Sequence, residues 1–420
     1  MTGASYPDAL TFSRGIIMKK QSIFIFFLLC LAIPFLSCAC MNSVSIIDDN
    51  SAARFASSDV YNDVLYFCDI GNNKTNYNVY YQILPTSTSS TTIEKRIRHL
   101  CSNSLCTHDT DSCPSYLRTD MHSIAIDRDT SLDSPIIYIS DNNKIKSYNI
   151  SDDKLKLIKT YDDGYPIALW LYDKWIFSAY SCGEDIQLRR IDKNGKNEIV
   201  FERNESDVSF RIIGFDDNYL YYADFLSGYY RVDHNLTNEE YLFSTNCFLN
   251  GYVLDGFLYY CDNLSSETLD NTKFEFCSLY KYDLTQIDKQ EQNYLPTLID
   301  QGILVSLTPM VYRAEDMILY CKYAPTKLGE NIFKDDSNND IIVDIWQAGA
   351  SSLYMYTPSN SETQILYTDI GYDLSLFHYA NDNYVLFDGS KYYQKSDGLW
   401  YRNRYTILYN YIDNTITLLD

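Results

Sequence analysis

The chain has 420 residues, 46% of them hydrophobic and 15% aromatic, so it has ample material for a packed core. Its formal net charge of −22 argues against a nucleic-acid partner and against electrostatic adhesion to anionic lipid. Acidity of this kind keeps a surface soluble and does not by itself indicate a cation site.

In chain order, residues 1–17 precede a second methionine, Met18, which with Lys19 and Lys20 opens a three-part export signal. The basic start is followed by the apolar run from Ile23 to Leu36 and by Ser37-Cys38-Ala39-Cys40. The apolar run is too short to span a bilayer comfortably. We therefore expect 1–17 to be an over-extended start, 18–39 a leader, 40–59 a tether rich in Ser, Asn and Asp, and 60–420 the folded domain. A cysteine at the end of the apolar run resembles the lipobox of bacterial lipoproteins. The resemblance implies a diacylglycerol on Cys38 or Cys40 and a chain held on the outer side of the cytoplasmic membrane. Neither cysteine has Leu three residues before it, so both stay candidates, and cleavage after Ala39 with free secretion is the alternative.

Beyond the tether one five-residue pattern recurs seven times: large apolar, aliphatic, large apolar, mixed, small. The copies are Val64–Cys68, Ile136–Ser140, Trp175–Ala179, Tyr219–Ala223, Phe257–Cys261, Met317–Cys321 and Tyr384–Asp388. Side chains alternate along a strand, so apolar residues at the first three positions mean burial on both faces. Inner strands of propeller blades lie between neighbouring blades and need that pattern. The small fifth position implies tight packing near the axis, with Asp388 the exception. First positions are spaced by 72, 39, 44, 38, 60 and 67 residues, and the short spacings match the ~40 to 45 residues of a four-stranded blade. Second strands such as Ile186–Ile191 and outer strands such as Glu198–Phe201 follow, and Asn194-Gly195 between them is a two-residue hairpin signal. We expect an all-β, seven-bladed propeller of four-stranded antiparallel blades.

Four copies continue as Tyr66-Phe67-Cys68-Asp69, Tyr138-Ile139-Ser140-Asp141, Tyr221-Tyr222-Ala223-Asp224 and Tyr259-Tyr260-Cys261-Asp262. These resemble the Tyr-Trp-Thr-Asp repeat of low-density-lipoprotein-receptor-type propellers, although the Trp is missing from every copy. Leu188-Arg189-Arg190-Ile191-Asp192 followed by Gly195 is similar to the next element of that repeat. Over about 60–420 the resemblance implies a six- or seven-unit propeller of the binding kind, with no activity attached.

The chain has 12 cysteines. Cys30, Cys38 and Cys40 belong to the leader, and Cys68, Cys261 and Cys321 occupy the small repeat position, where they read as packed thiols. Cys101, Cys106, His108 and Cys113 are different, because three thiols and an imidazole within thirteen residues match the ligand types of structural zinc. The alternative is a disulfide closing Cys101 or Cys106 onto Cys113, with Cys182, Cys247 and Cys277 as distant partners. The segment is similar to Cys-x4-Cys-x-His-x4-Cys stretches in propeller-like lipoproteins of gut Clostridia.

The segment 101–113 follows the expected outer strand of blade one. The insertions at about 262–277 and 322–351 fall between the second and third strands of blades five and six. All three should emerge on the face that carries those connections, which makes it the expected binding surface. Blade seven adds Lys391, Tyr392, Tyr393, Trp400, Tyr401 and Arg402 near that rim, flat apolar groups and cations suited to a peptide or sugar. No Gly-x-Ser-x-Gly elbow, His-Glu-x-x-His or phosphate loop is present. The reading is a non-catalytic binding propeller for a protein, peptide or glycan, held at the membrane only by its lipid. The alternative is a carbohydrate-active enzyme with acidic residues at the channel mouth.

Overall fold

The computed structural model describes residues 47–48, 58–70, 77–84, 97–118, 122–128, 134–183, 185–203, 210–224, 227–247, 251–270, 272–288, 295–305, 311–314, 316–322, 325–334, 338, 340–347, 352–367, 372–381 and 383–419. The expected leader, Cys38, Cys40 and most of the tether lie outside the described residues. Among the described residues, no helix is long and apolar enough to cross a membrane.

Every one of the seven repeats is the second strand of a separate antiparallel sheet. Blade one comprises Ser58–Tyr61, Val64–Ile70 and Tyr77–Ile83, with an outer strand in two pieces, Arg98–His99 and Tyr116–Leu117. Blade two is His122–Asp127, Ile136–Asp141, Lys144–Asn149 and Lys154–Thr160; blade three is Tyr165–Tyr172, Trp175–Cys182, Asp185–Asp192 and Ile199–Phe201. Blade four is Arg211–Phe215, Tyr219–Asp224, Gly228–Asp233 and Glu240–Phe243; blade five is Gly251–Leu254, Phe257–Leu269, Thr272–Asp283 and Thr297–Val305. Blade six is Val311–Ala314, Met317–Lys322, Ser352–Thr357 and Glu362–Tyr367, with the hairpin Thr326–Lys334 and Asp340–Gln347 inserted after its second strand. Blade seven is Asp373–Ala380, Tyr384–Gln394, Trp400–Asn410 and Thr415–Leu418, and Ile47–Asp48 pairs parallel to its third strand. The protein is a seven-bladed β-propeller. Its first blade begins at Ser58, just inside the expected tether.

The core is divided among the seams between blades. In blade one, Leu65 and Phe67 pack with Leu386 and Leu408 of blade seven, whereas Tyr66 and Cys68 pack with Ile124, Ile137 and Ile139 of blade two. Blade four repeats the division, with Leu220 and Tyr222 toward Phe177 and Leu188 of blade three, and Tyr221 and Ala223 toward Leu258 and Tyr260 of blade five. The second and fourth residues of the pattern thus face the preceding blade, and the third and fifth face the following one. Seven such clusters close the ring, including the one that joins blade seven to blade one. The small fifth residue is therefore a requirement of the following seam, because first strands rather than second strands line the axis. Cys68, Cys261 and Cys321 are fully buried there, as their repeat position implies. Asp388 is accommodated by polar neighbours: it accepts from Thr406 Oγ1 at 3.1 Å and lies 3.1 Å from His378 Nε2.

The aspartate that ends the Tyr-x-x-Asp tetrad has a repeated task. Asp141 accepts the backbone N–H of Arg118 at 2.6 Å, Asp224 accepts Arg203 Nη1 at 2.8 Å, and Asp262 accepts the backbone N–H of Asn246 at 3.0 Å. Each donor lies in the connection arriving from the preceding blade, so the carboxylate ties that connection to the second strand. Asp141 is fully buried, and Lys146 Nζ at 2.7 Å supplies the countercharge that makes its burial tolerable.

Asn194-Gly195 is not a two-residue hairpin. The Asp192 carboxylate accepts the backbone N–H groups of Asn194 and Lys196 at 2.8 and 2.9 Å, and the positive φ angles fall on Gly195 and Asn197. This longer Asx-capped turn recurs in blade four, where Asp233 accepts the N–H groups of Asn235 and Thr237. Glycine is required at 195 because a Cβ there would lie 2.1 Å from the Ile158 carbonyl of blade two.

The tyrosine-rich seams fix the response to alkali. Burial pushes the Tyr66 phenol up to about 12, and Tyr138, Tyr221, Tyr259 and Tyr260 are raised further by the same cause. An unfolded tyrosine ionises near pH ~10, so these groups stabilise the fold fully below that value and cease to do so as pH rises through their folded values. Phenolate absorbance should rise first near pH ~10 for exposed rings. A second, cooperative rise near pH ~12 should coincide with loss of the β circular-dichroism signal. One smooth titration of every tyrosine with the β signal intact would contradict this packing.

Candidate functional sites on the rim and upper face

Blade one pairs its outer strand in an unusual way. Arg98 and His99 pair with Tyr81 and Tyr80, while Tyr116 and Leu117 pair with Asn78 and Tyr77. Between them Val79 accepts the N–H of Leu100 at 3.0 Å and donates its own N–H to Ser115 at 2.7 Å. The two pieces are one strand, and residues 101–114 are looped out of its middle. The cysteine segment therefore interrupts the outer strand instead of following it, and it leaves from the rim rather than the face that carries the connections.

The loop is anchored toward blade two, away from blade seven. Asp111 accepts Arg118 Nε at 2.7 Å and Lys144 Nζ at 2.9 Å, and Ser102 donates to Asp153, which also accepts the Tyr148 hydroxyl at 2.5 Å. His108 adopts a left-handed φ of 55°, which turns its imidazole back into the loop. Its Nδ1 lies 3.3 Å from Cys113 Sγ, and its backbone N–H donates to Cys106 Sγ at 3.4 Å. The backbone N–H groups of Asn103 and Ser115 likewise donate to Cys101 and Cys113. One ligand-type atom from each of Cys101, Cys106, His108 and Cys113 lies within 4.8 Å of the others. The His99 ring stacks on His108 at 3.9 Å between centroids, and its Nδ1 is 3.1 Å from Ser115 Oγ. Burial pushes the Cys113 thiol up to about 12 and also raises Cys101, whereas the His108 N–H lowers Cys106.

A second feature rises from the turns between second and third strands of blades five, six and seven. The second strand of blade five has 13 residues against 6 in blade four, so its hairpin extends about 20 Å further at ~3.3 Å per residue. The inserted hairpin of blade six stands beside it, with Phe274 edge-on to Trp346 at 5.0 Å. Blade six is joined in turn to blade seven by Asn331. The Asn331 side chain is fully buried, accepts the N–H of Trp400 at 2.7 Å and donates to the Trp400 carbonyl at 3.1 Å. A Cβ at Gly329 would lie 2.5 Å from Trp400 Nε1, so only glycine admits this approach. The three hairpins form one wall. An open groove of about 720 Å³ at the blade-five end is lined by Ser265, Ser266, Glu267, Phe276, Gln301 and Pro325, among others.

The six residues expected in blade seven sit on its extended hairpin in two roles. Trp400 is engaged by the neighbouring hairpin and Arg402 is buried, so both serve the wall. Lys391 is exposed 5.6 Å from the Tyr372 ring, and Tyr392, Tyr393 and Tyr401 are half-buried, with Lys395 over Tyr401 at 4.0 Å. The cysteine loop and the wall are on different parts of the disc and are not brought together.

The axis also carries residues that the repeat pattern did not single out. In register with the third residue of each repeat, the first strands present Asp59, Ala125, Trp170, Gly214, Tyr252, Tyr312 and Tyr379. In six blades this is the residue seven places before that third position, a spacing that could have found it. Asp59 accepts the N–H groups of Val60 and Ile126 at 2.9 and 3.1 Å and pairs with Arg128. The aromatic members crowd the centre, with Tyr252 and Tyr312 at 6.2 Å and the Tyr312 hydroxyl donating to the His378 carbonyl at 2.8 Å.

No protein-family model matches the chain, and no curated protein matches it. Among solved structures it is similar to the tricorn protease, with 11% identity, a TM-score of 0.39, and 88% of this chain covered against 40% of that one. It is also similar to a chain of a nidogen–laminin complex, with 11% identity, a TM-score of 0.37, and coverage of 67% and 91%. A chain of the mitotic checkpoint complex aligns at 8% identity and a TM-score of 0.35, with coverage of 67% and 74%. The chain spans less than half of the tricorn protease chain. The propeller assignment stands on the strand pairing described above.

The wall depends on Asn331 in a way that exchange can read. Replacing Asn331 by Leu removes the acceptor of the Trp400 N–H and leaves a buried donor unpaired, at a cost of about 1–3 kcal/mol. The Trp400 amide should then exchange hydrogen at least tenfold faster, with amides of Tyr219–Ala223 unchanged. Unchanged protection at Trp400 would mean that the hairpins are not coupled through this contact.

Proposed function

We propose that the protein is a non-catalytic, exported binding propeller whose ligand surface is the wall built by the hairpins of blades five, six and seven. The observation that carries this reading is the two-way bond between Asn331 and Trp400, with Gly329 packed beneath it. Fixed mutual positions let separate loops act as one preorganised surface, which reduces the entropy lost on binding. The groove beside Phe276 offers hydroxyl and amide groups from Ser265, Ser266 and Gln301 together with flat apolar surface. Lys391, Tyr392, Tyr393 and Tyr401 supply cationic and aromatic surface at the other end. That mixture suits a polypeptide or glycan and does not suit a nucleic acid facing a chain of net charge −22. The leader at 18–39 supports export, with a lipid on Cys38 or Cys40 as the membrane attachment.

Binding is preferred to catalysis on chemical grounds. Glycoside hydrolysis needs two carboxyl groups flanking the scissile bond. Among the described residues at the axial register position, Asp59 is the one carboxylate, and it is engaged by Arg128 and two backbone amides.

Deleting 323–351, so that Lys322 joins Ser352, removes the middle hairpin and leaves the four strands of blade six intact. The variant should keep the β circular-dichroism spectrum and a cooperative thermal transition. On arrays of glycans and peptides, the intact chain should bind at least one member saturably, and the deletion should weaken that binding at least tenfold. Equal binding by the deletion variant, or no saturable binding by the intact chain, would contradict the proposal.

A further inference from the structure

We propose that Cys101, Cys106, His108 and Cys113 hold one zinc ion, a structural site that closes the loop interrupting the outer strand of blade one. This site is independent of the wall, so its failure would leave the binding proposal standing.

The convergence of donors is the first support. Tetrahedral zinc with thiolate ligands at ~2.3 Å places neighbouring sulfurs about 3.8 Å apart, and imidazole nitrogen slightly closer. All four donor atoms here fall within 4.8 Å of one another, and His108 Nδ1 is 3.3 Å from Cys113 Sγ. The imidazole would therefore bind through Nδ1.

The backbone around the sulfurs is the second support. Each cysteine accepts the N–H of the residue two places ahead: Asn103 to Cys101, His108 to Cys106 and Ser115 to Cys113. Amide donors aimed at sulfur stabilise thiolate charge, which metal ligation requires. A disulfide sulfur carries no such charge. Any one disulfide within the segment would also leave the third thiol and the imidazole crowded against it without a role.

Position gives the site a purpose. Cys101 and Cys113 stand just inside the neck where the chain leaves Leu100 and returns at Ser115, both bonded to Val79. An ion bound there cross-links the two ends of the excursion and keeps the two strand pieces in register on the edge of the blade. His99, in the first strand piece, stacks on His108 and meets Ser115 from the other side of the neck. Three thiolates and one imidazole complete a tetrahedral set with no open position, which makes the site structural rather than catalytic. Loading displaces the thiol protons and involves no change of oxidation state.

The test uses the full mature chain. Elemental analysis should find one zinc per chain that survives dialysis and is released by a thiol-blocking mercurial. Metal-free protein refilled with cobalt(II) should give thiolate-to-cobalt charge transfer in the near ultraviolet and the strong visible bands of a tetrahedral ion. His108→Ala and Cys106→Ser should bind zinc at least tenfold more weakly in competition with a metallochromic chelator, whereas Cys182→Ser, in blade three, should bind as the parent does. Metal-free protein that is folded yet takes up no zinc and gives no tetrahedral cobalt spectrum would overturn the proposal. Peptide mapping that finds Cys101 or Cys106 bonded to Cys113 would also overturn it. If the His108 and Cys106 variants fail to fold, the cobalt spectrum of the parent chain decides.

Discussion

Burial of the second strand on both faces is the constraint from which the rest of this structure follows. Each full burial of a large apolar side chain is worth about 1.5–3 kcal/mol, and every blade contributes several, alternately to the seam before it and the seam after it. A blade taken alone would leave both faces wet, so the seven sheets are stable only as a closed ring. The four main strands of blade seven all come from Asp373–Leu418, and Ile47–Asp48, which precedes blade one, adds a parallel pairing to the third of them. The ring is shut by this short pairing together with packing of Leu65 and Phe67 against Leu386 and Leu408.

A disc held in this way tolerates additions at its edges, because a loop that leaves between strands does not disturb the seams. Two kinds of addition are visible. Turns between second and third strands lengthen in three successive blades and are knitted to one another by Asn331, Trp400, Phe274 and Trp346. The outer strand of blade one, at the rim of the disc, accepts the cysteine loop in mid-strand, and Val79 keeps its hydrogen bonds to Leu100 and Ser115 on either side of the excursion.

The blade count, the second strands and the packed thiols were legible in the sequence because the seams impose the same burial on every copy. The axial ring was harder to see, since its residues range from Gly214 to Trp170 and share only the seven-residue spacing before the third repeat position in six blades. The donor set at Cys101–Cys113 was legible as chemistry but misplaced by one step. The outer strand of blade one is two two-residue pieces, too short to show a strand pattern, and only pairing to a common partner reveals it as one strand. The coupling of the wall was invisible for another reason: Asn331 and Trp400 are far apart in sequence, and nothing local to either marks the bond. Asn194-Gly195 misled because the Asp192 carboxylate offers the backbone a longer turn than the dipeptide alone would choose.

The central claim is that one set of seams holds all seven blades, so that no blade opens alone. Cys68, Cys261 and Cys321, buried at the same repeat position in blades one, five and six, are natural reporters of it. Labelling the native protein with a small thiol reagent and following the three peptides by mass spectrometry gives their opening rates separately. The ring predicts that all three are protected in native buffer and become labelled together, at the rate of global unfolding. Labelling of any one of them well ahead of the other two would contradict it.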